Sequence, residues 1–244
     1  MNYAWPCSIL CLAFTWPAAG NEADKLREIG AGVFTTNGEV TEINLNRSKI
    51  IDSHLKLVAA FPNLNDLSLE QTKITGKGLA HLTHLAKLEW VNLFQSQVGD
   101  DGLKHLTKLQ SLEQLPIGKT KVTDAGLVHV AKMKRLKYLG LRGNNITDTG
   151  IPQLTKLPKL IELHLGETSI TDKSATTLGK LSQLQKLWLH DTKLSDASVL
   201  YLKKLKELQS IYLYRTRFTI DGVRLLQKVL PNCRIYYRSS AVPE

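Results

Sequence analysis

The chain has 244 residues, 43% of them apolar, which is enough to bury a sizeable core. With 32 basic and 22 acidic residues it carries a net charge of +10. Only three cysteines are present, two of them Cys7 and Cys11, so a disulfide-stapled scaffold is excluded.

Residues 1–20 contain no Lys, Arg, Asp or Glu. The run from Ala4 to Phe14 is apolar apart from Ser8, and Pro17-Ala18-Ala19-Gly20 offers small residues suited to signal-peptidase cleavage. Residues 1–20 are therefore expected to be a signal peptide, cleaved near Ala19 or Gly20. Cleavage implies a periplasmic, cell-envelope or secreted protein; without it the protein would be cytoplasmic. The apolar segment is short of the ~20 residues a membrane span requires, and a membrane is not needed for function. Once the leader is removed, Cys233 is the sole cysteine, expected to sit buried as a capping residue.

Residues 21–39 read as an N-terminal cap. Ala23 to Ile29 has the pattern of a short amphipathic helix stopped by Gly30 and Gly32. Val33–Thr36 and Glu39–Leu45 are strand-like and flank Asn37-Gly38, a strong hairpin signal. The outer strand is expected to shield the edge of whatever sheet follows.

From 40 to 231 the chain repeats every 24 residues, with copies starting at Val40, Leu64, Leu88, Leu112, Leu136, Leu160, Leu184 and Leu208. Counting each start as position 0, positions 3 and 5 are apolar, as in Leu163 and Leu165 or Leu187 and Leu189. This alternation predicts a strand with one buried face. Position 10 is apolar again, from Ile74 to Phe218. Thr or Ser followed by Asp then predicts a capped helix start, as in Thr147-Asp148 and Thr171-Asp172. Apolar residues at positions 15, 18 and 21 predict a helix of roughly ten residues with one buried stripe. A unit this small cannot bury its own face, so eight copies must stack. Pro116 and Gly118 fall inside one predicted strand, where a local gap in the ladder is expected. After the last helix, Cys233–Tyr237 is expected to add a final strand, followed by a frayed tail within 232–244.

The pattern LxxLxLxxTxITDxGLxxLxxLxx resembles the leucine-rich repeat family over about 190 residues (eight copies of 24). It is similar to the short-helix repeats of bacterial proteins and to those of F-box substrate receptors. The resemblance implies an α/β solenoid shaped as a curved horseshoe, with a parallel sheet on the concave face and short helices on the convex face. It also implies a binding scaffold, without saying what is bound. A ubiquitin-ligase adaptor is disfavoured, because nothing before Val40 is long enough for an F-box.

Positions 2, 4 and 6 alternate with the buried leucines and point outward. They collect Trp90, Phe94, Tyr138, Arg142, His164, Trp188, His190, Tyr212 and Tyr214, with Arg215 at the rim beside Glu162, Glu167 and Asp191. Aromatics edged by charge have the composition of a protein-binding hot spot. The alternative is that neighbouring rings only pack on one another as cross-strand pairs. A protein partner on this face is the first expectation and a glycan the second, since rings also stack on sugars. The protein is expected to be a monomer.

Two columns lie on the helices. Lys108, Lys132, Lys156, Lys180, Lys204 and Lys228 occupy position 20 and read mainly as a solvated face that complements the helix C-termini. They lack interleaved aromatics, which argues against nucleic acid. His81, His105 and His129 occupy position 17, too far apart to share one ion. No phosphate-binding glycine loop, HExxH or nucleophile elbow occurs, so no enzyme, metal site or cofactor is expected.

Overall fold

A computed structural model describes residues 20–237. The expected signal peptide, apart from Gly20, and the tail from 238 lie outside these residues. The described part forms one ten-stranded sheet whose strands follow chain order. Helix α1 (Gly20–Glu28) ends at Gly30, whose φ of +96° lies in the left-handed region that glycine adopts freely. Strands β1 (Gly32–Thr36) and β2 (Glu39–Asn44) pair antiparallel around Asn37 and Gly38, both with positive φ. That is the geometry a two-residue hairpin needs. Every later neighbour is parallel: β3 (Asp66–Ser68), β4 (Trp90–Asn92), β5 (Gln114–Pro116), β6 (Tyr138–Gly140), β7 (Glu162–His164), β8 (Lys186–Trp188), β9 (Ser210–Tyr212) and β10 (Arg234–Tyr236). No helix among the described residues is long and apolar enough to cross a membrane.

Leucines at positions 0, 3 and 5 form a continuous core; Leu160, Leu163, Leu165, Leu184, Leu187 and Leu189 are each 0% exposed. Position 8 closes the turn after each strand. The hydroxyls of Thr72, Thr168, Thr192 and Thr216 donate to the carbonyl three residues earlier at 2.6–2.7 Å, satisfying turn backbone that would otherwise be buried bare. Asn144, at the same position, reaches further: its amide donates to the Ile117 carbonyl of the preceding copy, and its oxygen accepts from the Thr120 amide. The ladder thins where Pro116 lacks an N–H: β4 and β5 share the single register pair Trp90↔Gln114, against three at most other parallel junctions.

The helices are shorter than the roughly ten residues expected. Gly76–Leu79, Leu127–Val130 and Val199–Leu202 are four-residue α segments, and Ile151–Lys156 is wholly 3₁₀. Asp100–Leu106 and Asp172–Leu178 reach seven residues as α-helix. Buried residues at 15, 18 and 21, such as Ile151, Leu154 and Leu157 or Leu103, Leu106 and Leu109, recur every three residues, a spacing that suits 3₁₀ turns as well as a short α-helix. In the last copy Leu226 is followed by Leu230, and it forms the ten-residue α-helix Ile220–Val229.

The Thr and Ser caps act as expected: Thr171 Oγ accepts from the Lys173 amide, and Ser195 Oγ from the Ala197 amide. The aspartates do something different. Each reaches across to the next copy rather than serving only its own helix. Asp100 binds the amide and hydroxyl of Thr123, Asp124 those of Thr147, Asp148 those of Thr171, Asp172 those of Ser195 and Asp196 those of Thr219. The result is a ladder of charge-assisted hydrogen bonds stapling repeat to repeat. The ladder is interrupted where the copies carry Gly76 and Gly99. There the backbones close up: a Cβ on Gly76 would sit 2.6 Å from Gly102 Cα.

Burial pushes the Asp148 carboxyl up, but hydrogen bonds from Ser174 and Thr171 outweigh it and hold the group below its usual value. A carboxyl lowered by folding stabilises the fold above its unfolded pKa of about 3.9 and loses that contribution as pH falls through the folded value. Asp148→Ala should therefore cost about 1–3 kcal/mol at pH 7, because three donors lose a charged acceptor. Its deficit should shrink steadily as the medium is acidified below about pH 4. Urea midpoints of both proteins across that range check this; a deficit that stays constant would contradict it.

Candidate functional site

The concave face changes character along the sheet. Over β2 to β4 position 4 holds Asn44, Ser68 and Asn92; over β7 to β10 it holds His164, Trp188, Tyr212 and Tyr236, directly paired in register. The second set forms a continuous ring stack. Centroids lie 5.3 Å apart for His164–Trp188, 5.3 Å for Trp188–Tyr212 and 4.4 Å for Tyr212–Tyr236, with interplanar angles of 8°, 9° and 2°. Parallel strand spacing of ~4.8 Å places identical positions at ring-stacking distance. Tyr138 meets Trp188 edge-on at 6.5 Å. Beside this row, His190 stacks on Tyr214 at 4.5 Å and meets His164 edge-on at 5.1 Å.

Trp188, His164, Tyr212, Tyr214 and Tyr138 are half-buried. His190 departs from the expectation of an exposed contact: it is 2% exposed. The reason lies one copy earlier, where position 6 is Gly166. A Cβ there would come within 2.5 Å of the imidazole, so glycine leaves the space that the His190 ring fills. His190 Nδ1 lies 2.8 Å from Asp191 Oδ2.

His164 is held in one protonation state. Its Nδ1 accepts from the Gly166 amide at 3.2 Å, which leaves the proton on Nε2. Burial, aided by the positive environment of His190 and Arg142, pushes its pKa down to about 4, so the ring stacked on Trp188 is neutral at physiological pH. Burial also raises the Tyr138 hydroxyl, with Glu162 adding to the effect.

The charged rim pairs with itself. Arg142 binds Glu167, Lys119 lies 3.4 Å from the same carboxylate, Lys186 donates to Glu162 at 2.8 Å, and Arg215 grips Asp191. The Arg215 hydrogen bonds hold the Asp191 carboxyl down to about 2. Arg215 also lies over the Tyr214 ring at 5.1 Å. Glu167, Asp191 and Arg215 each occupy position 7, left-handed in every copy with φ between 52° and 69° where the strand turns away. Glu167, His190 and Asp191 bring one metal-ligating atom each within 4.8 Å of one another, but arginines already occupy both carboxylates and Asp191 occupies the histidine.

Of the ten residues singled out from the sequence, Tyr138, His164, Trp188, His190, Tyr212 and Tyr214 come together as one ring cluster, and Arg142 and Arg215 flank it. Trp90 and Phe94 stand apart on and just after β4 and make no ring contact among the described residues. Tyr236 was missed. The signal was present, since a ninth copy counted from Asn232 places it at position 4.

Residues 134–194 match a family model described as leucine rich repeat. No curated protein matches the chain. Among solved structures, an internalin C2 from Listeria monocytogenes is similar at a TM-score of 0.64 and 23% identity, over 82% of this chain and 81% of that one. A leucine-rich repeat protein of Leptospira interrogans is similar at 0.56 and 21%, over 80% and 60%. The leucine-rich repeat ectodomain of the plant receptor kinase GASSHO1/SCHENGEN3 from Arabidopsis thaliana, in complex with CASPARIAN STRIP INTEGRITY FACTOR 2, is similar at 0.55 and 18%. That match covers 85% of this chain but 25% of the ectodomain. At these identities the likeness speaks for the fold alone: with the matched segment and the 24-residue repeat, it supports an α/β leucine-rich repeat solenoid.

Proposed function

We propose that the chain is a non-catalytic, monomeric binding module that takes a protein partner on the C-terminal half of its concave face, centred on Trp188. The observation that carries this reading is the four-ring row His164–Trp188–Tyr212–Tyr236, half-open to solvent and flanked by arginines. Large rigid rings with polar edges supply contact area at small entropic cost, which is why they concentrate at protein-binding hot spots. The same row disfavours a glycan. Sugars stack on open ring faces, yet both faces of Trp188 and Tyr212 are taken by their neighbours, so those rings offer edges. The similar plant ectodomain, whose structure holds a bound factor, supports a protein ligand for this kind of scaffold.

Capture from the native source on immobilised wild type and Trp188→Ala, run beside a glycan array, tests the reading. A protein retained by wild type and lost from the variant is the expected result. Retention of a sugar, or of the same protein by both chains, would overturn it. We also propose export, on the composition of residues 1–20. N-terminal sequencing of the native protein should find a start near Asn21, and an intact Met1 would refute this part alone.

A further inference from the structure

At the end of the ring row the sheet holds a groove of about 370 Å³ lined by Lys186, Gln209, Ser210, Tyr212, Asn232, Arg234 and Tyr236. Among the described residues the lining has two cations and no acid. Lys186, Ser210 and Arg234 occupy position 2 of three adjacent strands in direct register. Two strand spacings separate the backbones of Lys186 and Arg234 by roughly 10 Å, and Ser210, 9% exposed, forms a low floor between them. A small anion above Ser210 would meet the lysine on one side and the arginine fork on the other, with the serine hydroxyl and the Asn232 amide available as donors. Among the described residues Arg234 is paired with no acid; its guanidinium touches the Tyr236 hydroxyl at 3.4 Å. Lys186, the other cation of the lining, donates to Glu162 Oε1 of β7 at 2.8 Å, so an acidic group in the groove would compete with or share that pair.

The opposite end of the same face has the opposite sign. Glu42 and Asp66 occupy position 2 on β2 and β3, in register, with Glu89 nearby, and none of the three is ion-paired among the described residues. Burial, then the charges of Glu42 and Glu89, push the Asp66 carboxyl up, as expected of acids crowded without counter-ions. An acidic segment is thus repelled from the β2–β4 end and drawn to the β8–β10 end.

We propose that the Lys186–Ser210–Arg234 groove is a carboxylate subsite that holds an Asp or Glu side chain of the protein partner, next to the segment contacting Trp188 and Tyr212. The proposal rests on the reading of the concave face given above and adds the chemistry and placement of the partner's acidic residue.

The test uses the full chain and random copolymers of glutamate and tyrosine, with glutamine–tyrosine copolymers as the neutral control. Wild type should bind the glutamate copolymer about tenfold or more tightly than the glutamine one. Lys186→Gln with Arg234→Gln should remove most of that preference. Lys156→Gln with Lys180→Gln removes the same charge from the helix side and should leave affinity within about twofold. All four side chains are exposed or nearly so, and thermal melts confirm that each variant is folded; Arg234→Gln alone serves if the double change unfolds. Equal weakening by both pairs would reduce the effect to net charge and overturn the subsite. Displacement of the copolymer by inorganic phosphate more effectively than by acetate would overturn its assignment to a carboxylate. If Trp188→Ala abolishes copolymer binding while the Lys186/Arg234 pair does not, the subsite fails and the concave-face reading stands; if neither change matters, both fail.

Discussion

Replacing Leu165 or Leu189 by alanine is expected to cost about 2–5 kcal/mol, the range for emptying a well-packed leucine site. Both side chains are 0% exposed at position 5, on the inward side of β7 and β8, where copies before and after leave the backbone little room to collapse. Lys156 and Lys180, one per copy on the helix side, are exposed, and their alanine variants should fall within about 0.5 kcal/mol of wild type. Urea melts of the four single variants check the contrast. Equal losses for leucines and lysines would mean that the assignment of inward and outward positions is wrong, and with it the whole concave face.

Trp188→Ala is expected to separate stability from binding. The ring stacks on His164 and Tyr212 and meets Tyr138 edge-on. Cross-strand pairs of this kind are worth about 0.2–1 kcal/mol each, so the variant should melt about 1–2 kcal/mol below wild type with its leucine core intact. Affinity for the partner should fall by about 2 kcal/mol or more, roughly thirtyfold in Kd, since a central aromatic is the residue type that dominates such interfaces. Tyr212→Ala should lose less, and Glu42→Gln at the far end should stay within about twofold. His190→Ala belongs to a different class: a residue 2% exposed and wedged over Gly166 should act through the support of Tyr214 and His164 and lower stability first. A Trp188→Ala protein that melts low yet binds as wild type would show the stack to be structural only.

The fold was legible because one pattern recurs in register: a leucine at position 5 means little once, but in successive copies it can only line a shared core. The face was legible for the same reason, since equal positions in parallel neighbours are in contact and His164, Trp188 and Tyr212 could be aligned on paper. What escaped depends on the neighbouring copy. Asp148 looks like a cap for its own helix until Thr171 of the next copy is placed against it. His190 looks exposed until the missing side chain of Gly166 is seen to make room for it. Helix length was not legible for another reason: a spacing of three suits both the 3₁₀ segment Ile151–Lys156 and the seven-residue α-helix Asp100–Leu106. Tyr236 lies beyond the last full copy, and it joins the row because β10 continues the parallel register of β9.

Site-specific photo-crosslinking tests the location of the interface most directly. A benzophenone amino acid placed singly at Tyr212, at Lys180 or at Glu42 samples the ring row, the convex helices and the acidic end of the concave face. With the partner present, the probe at position 212 should crosslink to it and those at 180 and 42 should not. Crosslinking from position 180 with none from 212 would place the interface on the helices and contradict the account.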